Sequence, residues 1–143
     1  MKSALDPSTT RPLACLAWVL GLLGLTSAAV IPFAIRIQYT AKFGEFLGDA
    51  EARALAEKGV EAAMPFVWSG LTLSVCSVML GWAFTMQRAW ASGWWLVLCA
   101  AWITHFLIGL WNDGHSFSAW LGLSFRLIVL GYSMILIRKG YRF

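Results

Sequence analysis

The chain has 143 residues, of which 59% are hydrophobic, 15% aromatic and 13% charged, and its formal net charge is +4. A water-soluble domain is about 25% charged, so half of the charge that would keep a surface wetted is missing and lipid has to be the solvent. Disordered chains need low hydrophobicity and disulfide scaffolds need more than the three cysteines present, so both classes are excluded.

A helix that crosses a bilayer needs about 20 mainly apolar residues. Four stretches qualify, at residues 12–36, 65–86, 93–111 and 118–137. Lipid leaves no partner for an unpaired backbone group, and none of the four alternates with period two, so they read as helices and not as barrel strands. The expected fold is an all-α integral membrane protein, a bundle of four transmembrane helices in a single membrane domain over residues 1–143, with a partly helical extracytoplasmic loop between helices one and two.

The first apolar stretch begins at Pro12, where a missing N–H does no harm to a helix start. Its beginning imitates a secretory signal: Lys2 and Arg11 precede an apolar run from Leu13 to Leu25, followed by the small residues Ser27, Ala28 and Ala29. The run resumes through Val30, Ile31 and Phe33 to spanning length, so it reads as a retained helix. Pro32 removes the bond to the Ala28 carbonyl and is expected to kink or end the helix near Arg36. Ala14, Ala17, Gly21, Gly24 and Ala28 form a stripe of small side chains that lets another helix approach closely.

The long connection, residues 37–64, reads as a loop containing a short helix from Gly48 to Ala63 with Asp49 as its cap and Glu51 in its first turn. Phe43, Phe46, Leu47, Leu55 and Val60 suggest a segment lying over the outer mouth of the bundle or on the membrane interface. Helix two then starts at Pro65 and carries a second small stripe, Gly70, Ser74, Ser77 and Gly81. The packing residues expected from the two stripes are Gly21, Gly24, Gly70, Ser74, Ser77 and Gly81.

Lys2, Arg11, Arg88, Arg138, Lys139 and Arg142 outnumber Arg36, Lys42, Arg53 and Lys58 when both termini are placed in the cytoplasm of a bacterial inner membrane. Trp68, Trp111 and Trp120 then mark the outer interface, and Trp90, Trp94 and Trp95 the inner one. The positive charge reads as topology and affinity for anionic membrane lipids; dispersed cations give no footprint for nucleic acid. Cys15, Cys76 and Cys99 sit in three different spans without a C-x-x-C pair and read as buried small hydrophobes.

Polar groups inside the spans are where function can show. Arg126 stands well inside helix four, where a guanidinium costs about 3 kcal/mol even on insertion scales, so something has to compensate it. If helices three and four form a hairpin turning near His115 and Ser116, His105 lies level with Arg126. His105 shares its face with Gly109 and Asn112, and Asp113 adjoins them, which makes a polar seam toward the outer surface. Asn112, Asp113, Gly114 and His115 read as a tight turn. Arg126, His105, Asn112, Asp113 and His115 are therefore the candidates for binding a ligand or a partner.

No catalytic constellation, metal-ligand set or nucleotide motif appears, so no catalytic or metal residue is assigned and no cofactor is required. The reading that follows is a small polytopic protein acting by binding, as an accessory subunit or a regulator or immunity-type partner of a membrane assembly, with a protein partner or further copies of itself. A different class is an oligomeric transporter or channel-like protein with Arg126 and His105 in an outward-facing polar pathway. A third is a redox-linked anchor for quinone or haem b, the haem requiring a ligand from another subunit or a second copy because His105 and His115, ten residues apart on or beyond one helix, cannot clasp one iron from opposite faces.

Overall fold

The computed structural model describes residues 7–113 and 117–140, and the side chains of these apart from residues 112, 113, 117–119 and 140. The described chain is helical almost throughout: α1 (Pro7–Leu47), α2 (Asp49–Thr85), α3 (Ala91–Asp113) and α4 (Phe117–Gly140). All four are long and apolar enough to cross a membrane, so the protein is an all-α integral membrane protein built as a four-helix bundle. Each helix packs on its neighbours in chain order and α4 closes back onto α1; across the α1–α3 diagonal the backbones stay apart, and the Trp102 side chain reaches toward Gly24.

The connection between α1 and α2 differs from the expected loop. α1 runs through Pro32 without a break to Leu47, and α2 begins at Asp49, so residues 37–64 are helical on both sides of a single turn residue. Pro65, expected at a helix start, is interior to α2. Proline removes one backbone bond, and here the partner helix compensates: α1 and α2 pack along their length, and beyond Pro32 the Arg36 guanidinium is clamped to Glu57 while Tyr39 lies against Gly59. Asp49 is not the cap. Gly48 holds that position with φ +80° and ψ 158°, a backbone region open in practice to glycine alone, and Asp49 and Glu51 lie in the first turn where they favour the helix dipole.

At 1.5 Å per residue α1 is about 60 Å long, roughly twice a hydrocarbon core, whereas α3 and α4 are about 35 Å. The distal part of the α1–α2 pair therefore projects past the other two helices as a hairpin. It is zipped by a seam of small residues: Ala52, Ala56 and Val60 are buried, and a side chain on Gly59 would stand 3.1 Å from the Tyr39 ring. Phe46 and Leu47 at its tip are exposed.

The opposite end is the packed core, where Leu13, Ala17 and Leu20 meet Leu80, Phe84, Trp95, Leu98, Trp102 and Val129. Trp95 belongs to this core and not to the interfacial belt: it is fully buried, edge-on to Phe84, and its indole N–H donates to Ser133 Oγ at 2.9 Å. Its polar atom has found a partner inside, so it has no need of the membrane surface. Trp68, Trp90, Trp94, Trp111 and Trp120 are exposed, as expected of belt residues. Of the cysteines only Cys99 is buried; Cys15 and Cys76 face outward. The small stripes sit in helix interfaces. A side chain on Gly21 would meet Val78 and the Ser74 carbonyl, one on Gly24 would collide with Ser74, and one on Gly81 would stand 3.0 Å from Trp18. Between α2 and α3, Gln87 adopts φ 53° and the amides of Gln87 and Arg88 reach back to the Phe84 and Ala83 carbonyls, an αL helix stop that turns the chain with backbone bonds alone.

Candidate functional site

On the hairpin side of the packed core the four helices separate around a cleft of about 410 Å³. α1 lines it with Gly24, Ser27, Ala28 and Ile31, one helical face in steps of three and four. α2 contributes Phe66, Val67 and Gly70, and α3 contributes Trp102, His105, Phe106 and Gly109. Of the described residues of α4, only Arg126 reaches it. The cleft exists because glycines stand where larger side chains would fill it, while Phe66 and Phe106 pack on Gly109 and Gly122 and so hold the aromatic walls in place.

Arg126 lies about 14 Å along α4 from its first described turn. It is 9% exposed, and its guanidinium carbon stands 4.3 Å from the centre of the Trp102 ring, 5.6 Å from Phe106 and 6.0 Å from Phe125. Aromatic faces stabilise a desolvated cation by about 2 kcal/mol but accept no conventional hydrogen bond in place of water. One terminal nitrogen, Nη1, is buried with no hydrogen-bond partner, and Arg126 has no ion-pair partner among the described residues.

His105 is also buried and stands edge-on to the same Trp102 ring, with its imidazole stacked on Phe66 at 3.8 Å between centroids. Its Nδ1 is 3.1 Å from Ser69 Oγ, and its Nε2 edge faces Gly70, where an added side chain would stand 3.4 Å away. Trp102 is held in turn by its indole N–H, which donates to Ser77 Oγ at 3.2 Å. His105 also forms part of an open groove of about 800 Å³ on the outside of α2 and α3, lined by Pro65, Ser69, Thr72 and Thr104, so this ring separates the two spaces.

The fold thus brings Arg126 and His105 into one cleft. Asn112 and Asp113 lie in the last turn of α3, beyond the cleft residue Gly109, and their side chains are outside the described set; His115 lies outside the described residues altogether. Trp102, Phe66 and Ser69 were not singled out from the sequence. Trp102 could have been, since Trp102, His105, Phe106 and Gly109 share one helical face. Ser69 could not, because its partnership with His105 depends on the relative depth of α2 and α3.

The sequence matches no family model, no curated protein and no solved structure. The site is therefore interpreted from its own chemistry.

Proposed function

We propose that this protein acts by binding: its cleft receives the anionic head group of an amphipathic ligand, with Arg126 as the counter-charge and His105 as a second polar contact, and it works as an accessory or regulatory component of a membrane assembly. The observation that carries this reading is a buried Arg126 nitrogen without a hydrogen-bond partner, on a side chain that lines a largely apolar cleft. A cation held in hydrocarbon is retained against a penalty of about 3 kcal/mol, and an incoming anion removes that penalty at the moment of binding. The apolar remainder of the lining suits a chain or ring attached to that anion. The projecting α1–α2 hairpin, with its exposed apolar tip, supports the accessory role by offering a surface to another component outside the membrane. Both termini lie in the cytoplasm of a bacterial inner membrane in this reading, supported by the distribution of Lys and Arg.

The test is native mass spectrometry of protein extracted in mild detergent, wild type beside Arg126→Leu. The wild type is expected to carry an anionic amphiphile that the variant lacks, while the ligand-free variant melts at a higher temperature because the buried charge is gone. Equal amphiphile occupancy in both proteins overturns the reading.

A second reading, a transporter with Arg126 and His105 in its path, draws support from the position of His105 between the cleft and the outer groove. Ligand flux into vesicles containing the purified protein, abolished by Arg126→Leu, would favour it over simple binding.

A further inference from the structure

The hydrogen bonds around Ser69 determine which face of His105 chemistry the cleft offers. Ser69 Oγ lies 2.9 Å from the Phe66 carbonyl and 3.1 Å from His105 Nδ1. A serine hydroxyl has one proton, and a carbonyl can only accept, so both contacts are hydrogen bonds only when the Ser69 proton goes to Phe66. The second contact is then a hydrogen bond only if the imidazole donates, which places the proton of neutral His105 on Nδ1. Nε2 is left with a lone pair. That atom faces Gly70, which has no side chain to cover it, and both residues line the cleft.

Two polar residues that line the cleft thus carry unmet demands of opposite kind: Arg126, whose buried Nη1 donor has no acceptor, and His105, whose Nε2 lone pair needs a donor. Both groups rest against the same Trp102 ring. A fully ionised carboxylate or a phosphodiester answers the first and leaves the second open. A neutral alcohol answers only the second. An anion that has kept one proton answers both, its charged oxygens accepting from Arg126 and its remaining O–H donating to Nε2. With a second ionisation near pH 6, a phosphomonoester exists in that form close to neutrality. The cavity of about 410 Å³ is far larger than the ~30 Å³ share of one water, and leaves room for such a head group and the start of an apolar tail.

We propose that the cleft is selective for a phosphomonoester on an apolar chain, recognised by Arg126 through its charge and by the His105 Nε2 lone pair through its remaining proton. This rests on the reading above that the cleft holds an anionic head group.

Two lipids that differ by a methyl group in place of that proton decide the matter. Phosphatidic acid carries the phosphomonoester; phosphatidylmethanol with the same acyl chains is a phosphodiester monoanion that has no O–H to donate. The full chain in detergent at about pH 6 is titrated with each and the bound fraction read by native mass spectrometry. Phosphatidic acid is expected to bind about tenfold more tightly, the worth of one hydrogen bond from a group attached to a charge. His105→Phe, which keeps a ring to stack on Phe66, is expected to bring phosphatidic acid down to the level of phosphatidylmethanol; should that variant not fold, the wild-type comparison stands alone. Equal binding of the two lipids overturns this inference and leaves the anion reading intact. Binding of neither overturns both. Inorganic phosphate at millimolar concentration is expected not to displace phosphatidic acid; full displacement would transfer the site to a soluble phosphate and overturn the lipid assignment.

Discussion

Arg36 and Arg126 carry the same guanidinium into opposite surroundings. Arg36 stands on the hairpin that projects from the bundle, where Nε donates to Glu57 Oε1 at 2.8 Å and a terminal nitrogen donates to Oε2 at 3.1 Å, both partners about half exposed. Arg126 is nine-tenths buried among aromatic rings, and one of its nitrogens is bonded to nothing among the described residues. The first arginine has a partner built into the chain and the second lacks one. What separates them is the solvent: in water an incomplete set of partners is made good at once, whereas in lipid it persists until a ligand or another chain completes it. A charge with its own counter-ion is architecture; a charge without one, beside a cavity, is a candidate site.

The comparison breaks most sharply at Trp102, whose ring supports Arg126 and whose N–H ties α3 to Ser77. Trp102→Ala is expected to destabilise the bundle by about 3–5 kcal/mol and to abolish anion binding, measured by reversible unfolding in mixed micelles. The hairpin, tied by its own α1–α2 seam, keeps its helicity in that experiment. Gly24→Leu comes next. Its side chain collides with Ser74 and pushes α1 from α2 at the floor of the cleft, at a cost of about 1–3 kcal/mol, and solvent then reaches Arg126. If stability falls while amphiphile binding is unchanged, exclusion of water is not what makes Arg126 a site.

The remaining two changes act on the hairpin. Gly48→Ala forces a side chain into a backbone region reserved for glycine, although the space around it is open, and the expected loss is about 1 kcal/mol confined to the turn. Faster amide exchange around residues 44–52, with unchanged exchange in α3, checks it. The smallest effect is that of acid on the Arg36–Glu57 pair. The hydrogen bond from Arg36 holds the Glu57 carboxyl below its ordinary range, against which a slight desolvation works. A group depressed on folding stabilises above its unfolded pKa and loses that contribution as pH falls through the folded value, so exchange in the hairpin should rise below the usual carboxylate range. Glu57→Gln removes this pH dependence and leaves the melting of the bundle unchanged.

Much of the architecture is legible in residue order because lipid admits few solutions. Long apolar runs had to become helices, and the small stripes at Gly21, Gly24, Ser74, Ser77 and Gly81 had to be the places where helices meet. The hairpin was not legible. Pro32 and the charges from Arg36 onward look like the end of a helix when α1 is considered alone, and the helix continues only because α2 lies beside it. Trp95 misled for a similar reason: by position it resembles a belt residue, and only Ser133 on α4 makes a buried indole affordable.

The candidate site divides along the same line. Arg126 stands out in the sequence because the penalty for a charge in a span depends on depth, and depth can be counted along a single helix. His105 at the same level follows from counting back through one turn. That these two groups share the Trp102 ring, that Ser69 lies against Nδ1 of His105, and that Gly70 stands beside Nε2 depend on distances between helices remote in the chain. Which solvent each segment inhabits was determined by the sequence alone, since transfer from water to lipid is nearly a sum over residues. Which polar atoms go unpaired was decided only by the tertiary structure, since a hydrogen bond depends on angles and ångströms that no sum over residues contains.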